Sequence, residues 1–141
     1  MRNIVKKYSR LGMAAAMGVG IFTFSNFTYA SDDNIGFSFT LKPNYENSYS
    51  GERYRQTTNP KNKWKVNLTY SSEGVGTVAT FWLDKSSTRV SDVHDVAQGS
   101  GAHYYSAFST ANQSNVRLGA ENNNASPNSY TISGYWDEET D

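Results

Sequence analysis

Residues 34–42 read NIGFSFTLK, so that Ile35, Phe37, Phe39 and Leu41 alternate with Gly36, Ser38 and Thr40. Successive side chains of an extended chain point to opposite faces, and this period of two therefore describes a strand with one buried face. The same rhythm returns where Trp64, Val66, Leu68 and Tyr70 alternate with Lys65, Asn67 and Thr69. It appears again in Val116, Leu118 and Ala120, and in Tyr130, Ile132, Gly134 and Trp136. Between Thr77 and Leu83 both faces are apolar, with Val78, Thr80 and Trp82 on one and Ala79, Phe81 and Leu83 on the other, which predicts a central strand. Ser71 to Gly76 predicts a hairpin turn between it and the strand before.

Outward from these strands the period fades. Residues 44–63 are polar and punctuated by Gly51 and Pro60, which predicts long loops with a short strand around Arg53 to Thr57. Lys85 to Gly101 reads as an excursion with partial strand, His103 to Thr110 as extended chain, and Asn122 to Asn128 as a turn. No amphipathic helix follows Ala30. The expected fold is all-β: a small antiparallel β-sandwich, or open barrel, of six to eight strands forming a single domain over residues 31–141.

Residues 1–30 have the layout of a secretory signal peptide. Arg2, Lys6, Lys7 and Arg10 precede an apolar run of 14 residues from Leu11 to Phe24, and there is no acid. The run is short of the roughly 20 residues needed to cross a bilayer. Thr28 and Ala30 supply the small residues before a cut, so cleavage is expected between Ala30 and Ser31 and the product is expected to be secreted, touching the membrane only through its leader during export.

Removing the leader changes the charge. The whole chain balances 13 bases against 13 acids, but four bases lie in residues 1–30 and no acid does, which leaves the mature part at −4. An acidic domain with scattered Lys and Arg is a poor match for a phosphate backbone, and nucleic acid is not an expected partner. With no cysteine, cohesion rests on packing. Only 13 Ile, Leu and Val residues follow Ala30, whereas 15 aromatics do, and these are expected to fill the core.

Candidate chemistry is sparse. Asp92, His94, Asp95 and His103 have the residue types of metal ligands or acid-base groups, although their ordinary role is a solvated polar loop. Ser100 lies between Gly99 and Gly101 but lacks the glycine spacing of a nucleophile elbow. Arg53 and Arg55 flank Tyr54, so both guanidinium groups leave one face of an extended chain and can grip a carboxylate or phosphate. Their plainer role is to protect a sheet edge. Trp64, Trp82 and Trp136 can form a stacking platform for sugar rings or can simply fill the core. Asp137, Glu138, Glu139 and Asp141 form an acidic end that aids solubility or docks on a basic partner. No pattern calls for a cofactor.

Five segments carry a family resemblance: NIGFSF at 34–39, RYRQTTN at 53–59, WKVNLTY at 64–70, GSGAHYY at 99–105 and YTISGYWDEET at 130–140. In them the chain resembles a family of small exported proteins of Gram-positive bacteria, the domain of unknown function family 2712, which implies no activity and no site residues. A looser likeness, in size, leader and aromatic-rich strands, is to bacteriocins of the lactococcin 972 type, which implies a secreted β-sandwich acting on the cell wall.

The expected function is that of a secreted, non-enzymatic protein that binds a cell-envelope component or a protein partner through Arg53, Tyr54, Arg55, Trp64, Tyr135 and Trp136. A bacteriocin-like toxin and a carbohydrate-binding module are the alternatives, followed by a small hydrolase at Asp92, His94, Asp95 and His103.

Overall fold

The computed structural model describes residues 32–141; the predicted leader and its cleavage point at Ala30 and Ser31 lie outside the described residues. Ten strands follow in chain order: β1 (Ile35–Leu41), β2 (Ser48–Tyr49), β3 (Arg53–Arg55), β4 (Trp64–Ser71), β5 (Val78–Lys85), β6 (Thr88–Arg89), β7 (His94–Ala97), β8 (His103–Tyr105), β9 (Ser114–Asn122) and β10 (Tyr130–Asp137). The count exceeds six to eight because β2 and β6 have two residues each, too short to carry a period. A single 3-10 turn at Ser109–Ala111 interrupts what sequence reads as extended chain after His103.

The strands form two antiparallel sheets packed as a sandwich. One runs β1-β10-β4-β8; the other runs β2-β9-β5-β6, with β3 also on β9 and β7 also on β5. The alternating residues do what their period demands: Phe37, Phe39, Leu41, Val66, Leu68 and Ile132 of the first sheet are buried with Phe81, Leu83, Val116 and Leu118 of the second. Strand β5 is central, as its two apolar faces require.

The expected hairpin from β4 to β5 does not form. These strands lie in different sheets, and residues 72–77 carry the chain from one to the other. Six residues reach easily across the ~10 Å between packed sheets, and β4 pairs instead with β10 and β8.

Trp82 lies on the outer face of the second sheet, outside the core cluster, yet it is fully buried. Arg89 covers its ring at 4.5 Å and Tyr49 meets it edge-on at 6.2 Å, with Arg117 stacked on Tyr49 at 3.8 Å. Cation–π contacts and the apolar stems of arginine thus close a face that no third layer of the described residues covers.

Candidate functional site

Arg53 grips carboxylates, but they are the chain's own, and Arg55 is taken up by the chain's own carbonyl oxygens. Strand β3 brings Arg53 to Glu138 and, at 3.5 Å, to Asp33. Arg55 is fully buried, donating to the carbonyls of Glu138 and Asn62 and, at 3.2 Å, to Asn112 Oδ1. The Glu139 carboxylate accepts the backbone N–H groups of Gln56 at 3.1 Å and Thr57 at 2.8 Å, and Asn62 Oδ1 accepts that of Thr140 at 2.9 Å. Asp137, Glu138 and Glu139 are consequently buried. This corrects two readings: the acidic end is not a free docking tail, and Arg53 and Arg55 are not an open anion fork. Each was legible, but their complementarity shows only when β3 lies beside the chain end.

The clasp has a proton of its own. Burial pushes the Asp137 carboxyl up from 3.8 to about 7, with the charge of Glu138 adding to the rise and the backbone amides of Glu139 and Asp33 opposing it. One of its oxygens, Oδ2, has no hydrogen-bond partner among the described residues. Between about pH 4 and pH 7 the folded chain holds a proton that the unfolded chain has released, so this group lowers stability as pH rises, by up to ~1.4 kcal/mol per unit. Urea denaturation of wild type and Asp137→Asn at pH 5 and pH 7.5 is expected to show the variant gaining relative stability at the higher pH. A constant difference contradicts the assignment.

The expected stacking platform of Trp64, Trp82 and Trp136 is also corrected. All three are buried, and Trp64 Nε1 donates to the Ser106 carbonyl at 3.3 Å. Tyr54 is exposed on β3, and Tyr135 is half-buried on the outer face of the first sheet.

Sequence spacing does not bring His94 and His103 together, but stacking does. His94 lies face to face with Tyr105 at 3.6 Å, and His103 approaches the same ring at 6.0 Å. Burial lowers the His94 pKa, opposed by Asp92 and Asp95, and favours the neutral ring. Asp92 is exposed, and Asp95 accepts the Thr80 hydroxyl at 2.6 Å. Among the described residues no three His, Cys, Asp or Glu side chains are placed to hold a metal ion. Ser100 Oγ donates to the Ala97 carbonyl at 2.7 Å and lies 2.7 Å from His103 Nε2. The hydroxyl thus lies within reach of both groups, and which of Ser100 and His103 donates to the other depends on the imidazole tautomer.

The face that gathers exposed aromatics is the outer surface of the first sheet. Register fixes its rows: Ser38, Ser133 and Tyr70 lie side by side, then Gly36, Tyr135 and Asn67, then Asp137, Lys65 and Tyr104. Asn67 Nδ2 donates to Tyr135 Oη at 2.7 Å, and Lys65 Nζ lies 5.8 Å from the Tyr135 ring while pairing with Asp32. Tyr135 is thereby held in place, whereas Tyr70 and Tyr104 stand about half exposed, at 52% and 48%. Thr40, Thr69 and Thr131 add exposed hydroxyl side chains. Beyond Tyr104 lies an open depression of about 540 Å3, lined by Asp32, Lys61, Lys63, Thr140 and Asp141. Sequence alternation places Tyr70 on the inward phase with Leu68, and the register shift between β4 and β10 turns it outward; Tyr104 lies in the short strand β8, where an outward position is its only signal.

A cysteine-free antiparallel sandwich with one tyrosine-bearing polar face is the class of protein that this fold defines. The chain belongs to the family described as protein of unknown function DUF2712, which matches residues 24–140 and upholds the resemblance of the five segments. No curated protein and no solved structure matches it, and the looser bacteriocin likeness has no match behind it.

Proposed function

We propose that the chain is exported and works outside the cell as a non-enzymatic binding protein for a cell-envelope component, with a wall glycan as the ligand chemistry that suits it. One observation carries this reading. Tyr70, Tyr135 and Tyr104 sit on three adjacent strands of one face, among Ser, Thr and Asn side chains. Sugar rings stack on aromatic faces while their hydroxyls exchange hydrogen bonds with such side chains, and aromatics spread over three strands match a polymer of several rings. Lys61 and Lys63, both exposed beside Tyr104, add positive charge for anionic wall polymers. The leader-like residues 1–30 support export.

The test is sedimentation of the purified chain with isolated Gram-positive wall fragments, together with a glycan array. Binding is expected, and Tyr70→Ala with Tyr104→Ala should weaken it about tenfold or more, since each aromatic contact is worth ~0.5–1.5 kcal/mol. Trp64→Phe should leave it unchanged. Absence of binding, or binding indifferent to the two tyrosines, refutes the proposal.

A further inference from the structure

We infer that the open edge of β1 is a strand-addition site that takes an extended peptide segment of another protein, apolar at every second residue. It is separate from the tyrosine face and does not depend on it.

Sheets protect their edges by keeping edge strands short, or by placing charge, proline or a bulge there. The other edge strands of this sandwich follow that rule: β2, β3, β6, β7 and β8 have two to four residues each. Strand β1 does not. Its seven residues, IGFSFTL, contain no charge and no proline and pair with β10 without a register shift.

The direction of its free backbone groups follows from one contact. The Thr40 carbonyl accepts the Ser48 hydroxyl at 3.0 Å, which places it on the side away from β10. Backbone orientation alternates along a strand, so Ser38 and Gly36 also turn N–H and C=O to that side, whereas Phe37 and Phe39 bond to β10. Beside these groups runs a groove made of two adjoining depressions of about 230 and 240 Å3, which share Gly36, Ser50 and Gly51. Tyr49 to Arg53 form its far wall.

A row of backbone donors and acceptors specifies its occupant, because only another main chain repeats them at the same interval. A strand laid there presents alternate side chains to Phe37, Phe39 and Tyr49 and the rest to the Ser38 side, hence the period-two pattern. The far wall limits the groove to one strand. A second copy pairing through β1 brings its own Tyr49–Arg53 wall against the first, which disfavours a self-paired dimer.

The probe is a display library of random heptapeptides panned on the purified chain, with the best binder made synthetically. Selected peptides are expected to be apolar at every second position, and the Gly36 and Ser38 amides to exchange slowly only in the complex. Ser38→Pro removes one outward N–H that β10 does not use, so it should keep the fold and lower affinity about tenfold or more, while Ser38→Ala retains it. Should Ser38→Pro fail to fold, N-methylation along the peptide decides on the wild-type chain: alternate amides must be sensitive and intervening ones indifferent. No enriched peptide, binders that depend on Tyr104 but not on Ser38, uniform sensitivity to N-methylation, or self-association abolished by Ser38→Pro would each overturn the inference.

Discussion

Arg55→Met is expected to cost about 3–5 kcal/mol of stability and to lower the melting temperature by roughly 15 °C or more. The guanidinium is fully buried and serves three acceptors on three segments: the carbonyls of Asn62 and Glu138 and the side chain of Asn112. Removing it leaves these oxygens without a donor. It also leaves the carboxylates of Glu138 and Glu139 with one fewer opposing charge, and Glu139 is itself 2% exposed. An unpaired buried charge is the costly half of such a pair. Arg55→Lys is expected to recover little, because an ammonium cannot fork in a plane to the same three acceptors.

The clasp makes a further distinction possible. Deleting residues 138–141 removes the Glu138 and Glu139 carboxylates and the contacts of Thr140 and Asp141 with Asn62. If Arg55 and the chain end act as one unit, the combined change costs clearly less than the sum of the two, because neither leaves the other's charge stranded. Urea denaturation followed by tryptophan fluorescence measures all three. A loss below about 1 kcal/mol for Arg55→Met, the usual worth of a surface pair, would mean that the guanidinium is not serving as a buried connector.

Much of the sandwich was legible in its sequence. Period two in residues 37–41, 64–68 and 116–120 names side chains that are in fact buried, whereas Tyr70, in the same phase, is exposed; the doubly apolar 78–83 is the central strand it suggests. Pairing was not legible. A turn-rich link such as residues 72–77 fits a hairpin or a crossing between sheets equally well, and only the competition of β10 and β8 for the edges of β4 decides. The site fared worse for a related reason. Composition marks tryptophan and arginine as binding residues, but β4 and β10 turn Trp64 and Trp136 inward, and the acidic segment supplies the Glu138 carboxylate to Arg53 and the Glu138 carbonyl to Arg55. Tyr104 lies on an outward position of β8, but Tyr70 is written in the apolar phase of β4 and is turned outward only by the register shift that leaves Thr69 as an extra residue between Leu68 and Tyr70, which no alternation announces.

Gly134→Ala is the second substitution with a large expected effect, about 3 kcal/mol or more, for a reason that hydrophobic patterning hides. Gly134 falls on the inward phase of β10 with Ile132 and Trp136, where a larger apolar residue appears welcome. It stands at the register shift between β10 and β4, and a Cβ there would lie 1.9 Å from the Asn67 carbonyl oxygen and 3.0 Å from the Phe37 ring. Backbone cannot yield as a flexible side chain does, so the methyl must force β4 from β10 in the middle of the first sheet. Gly119→Ala is expected to cost less: its Cβ would meet the Trp82 ring at 2.3 Å, but that ring lies on the outer face and can tilt against Arg89. Gly36→Ala, with nothing nearer than 4.0 Å, should cost under about 1 kcal/mol. Thermal denaturation of the three variants tests that order, and a Gly134→Ala protein as stable as Gly36→Ala would show that β10 and β4 are not held in this register.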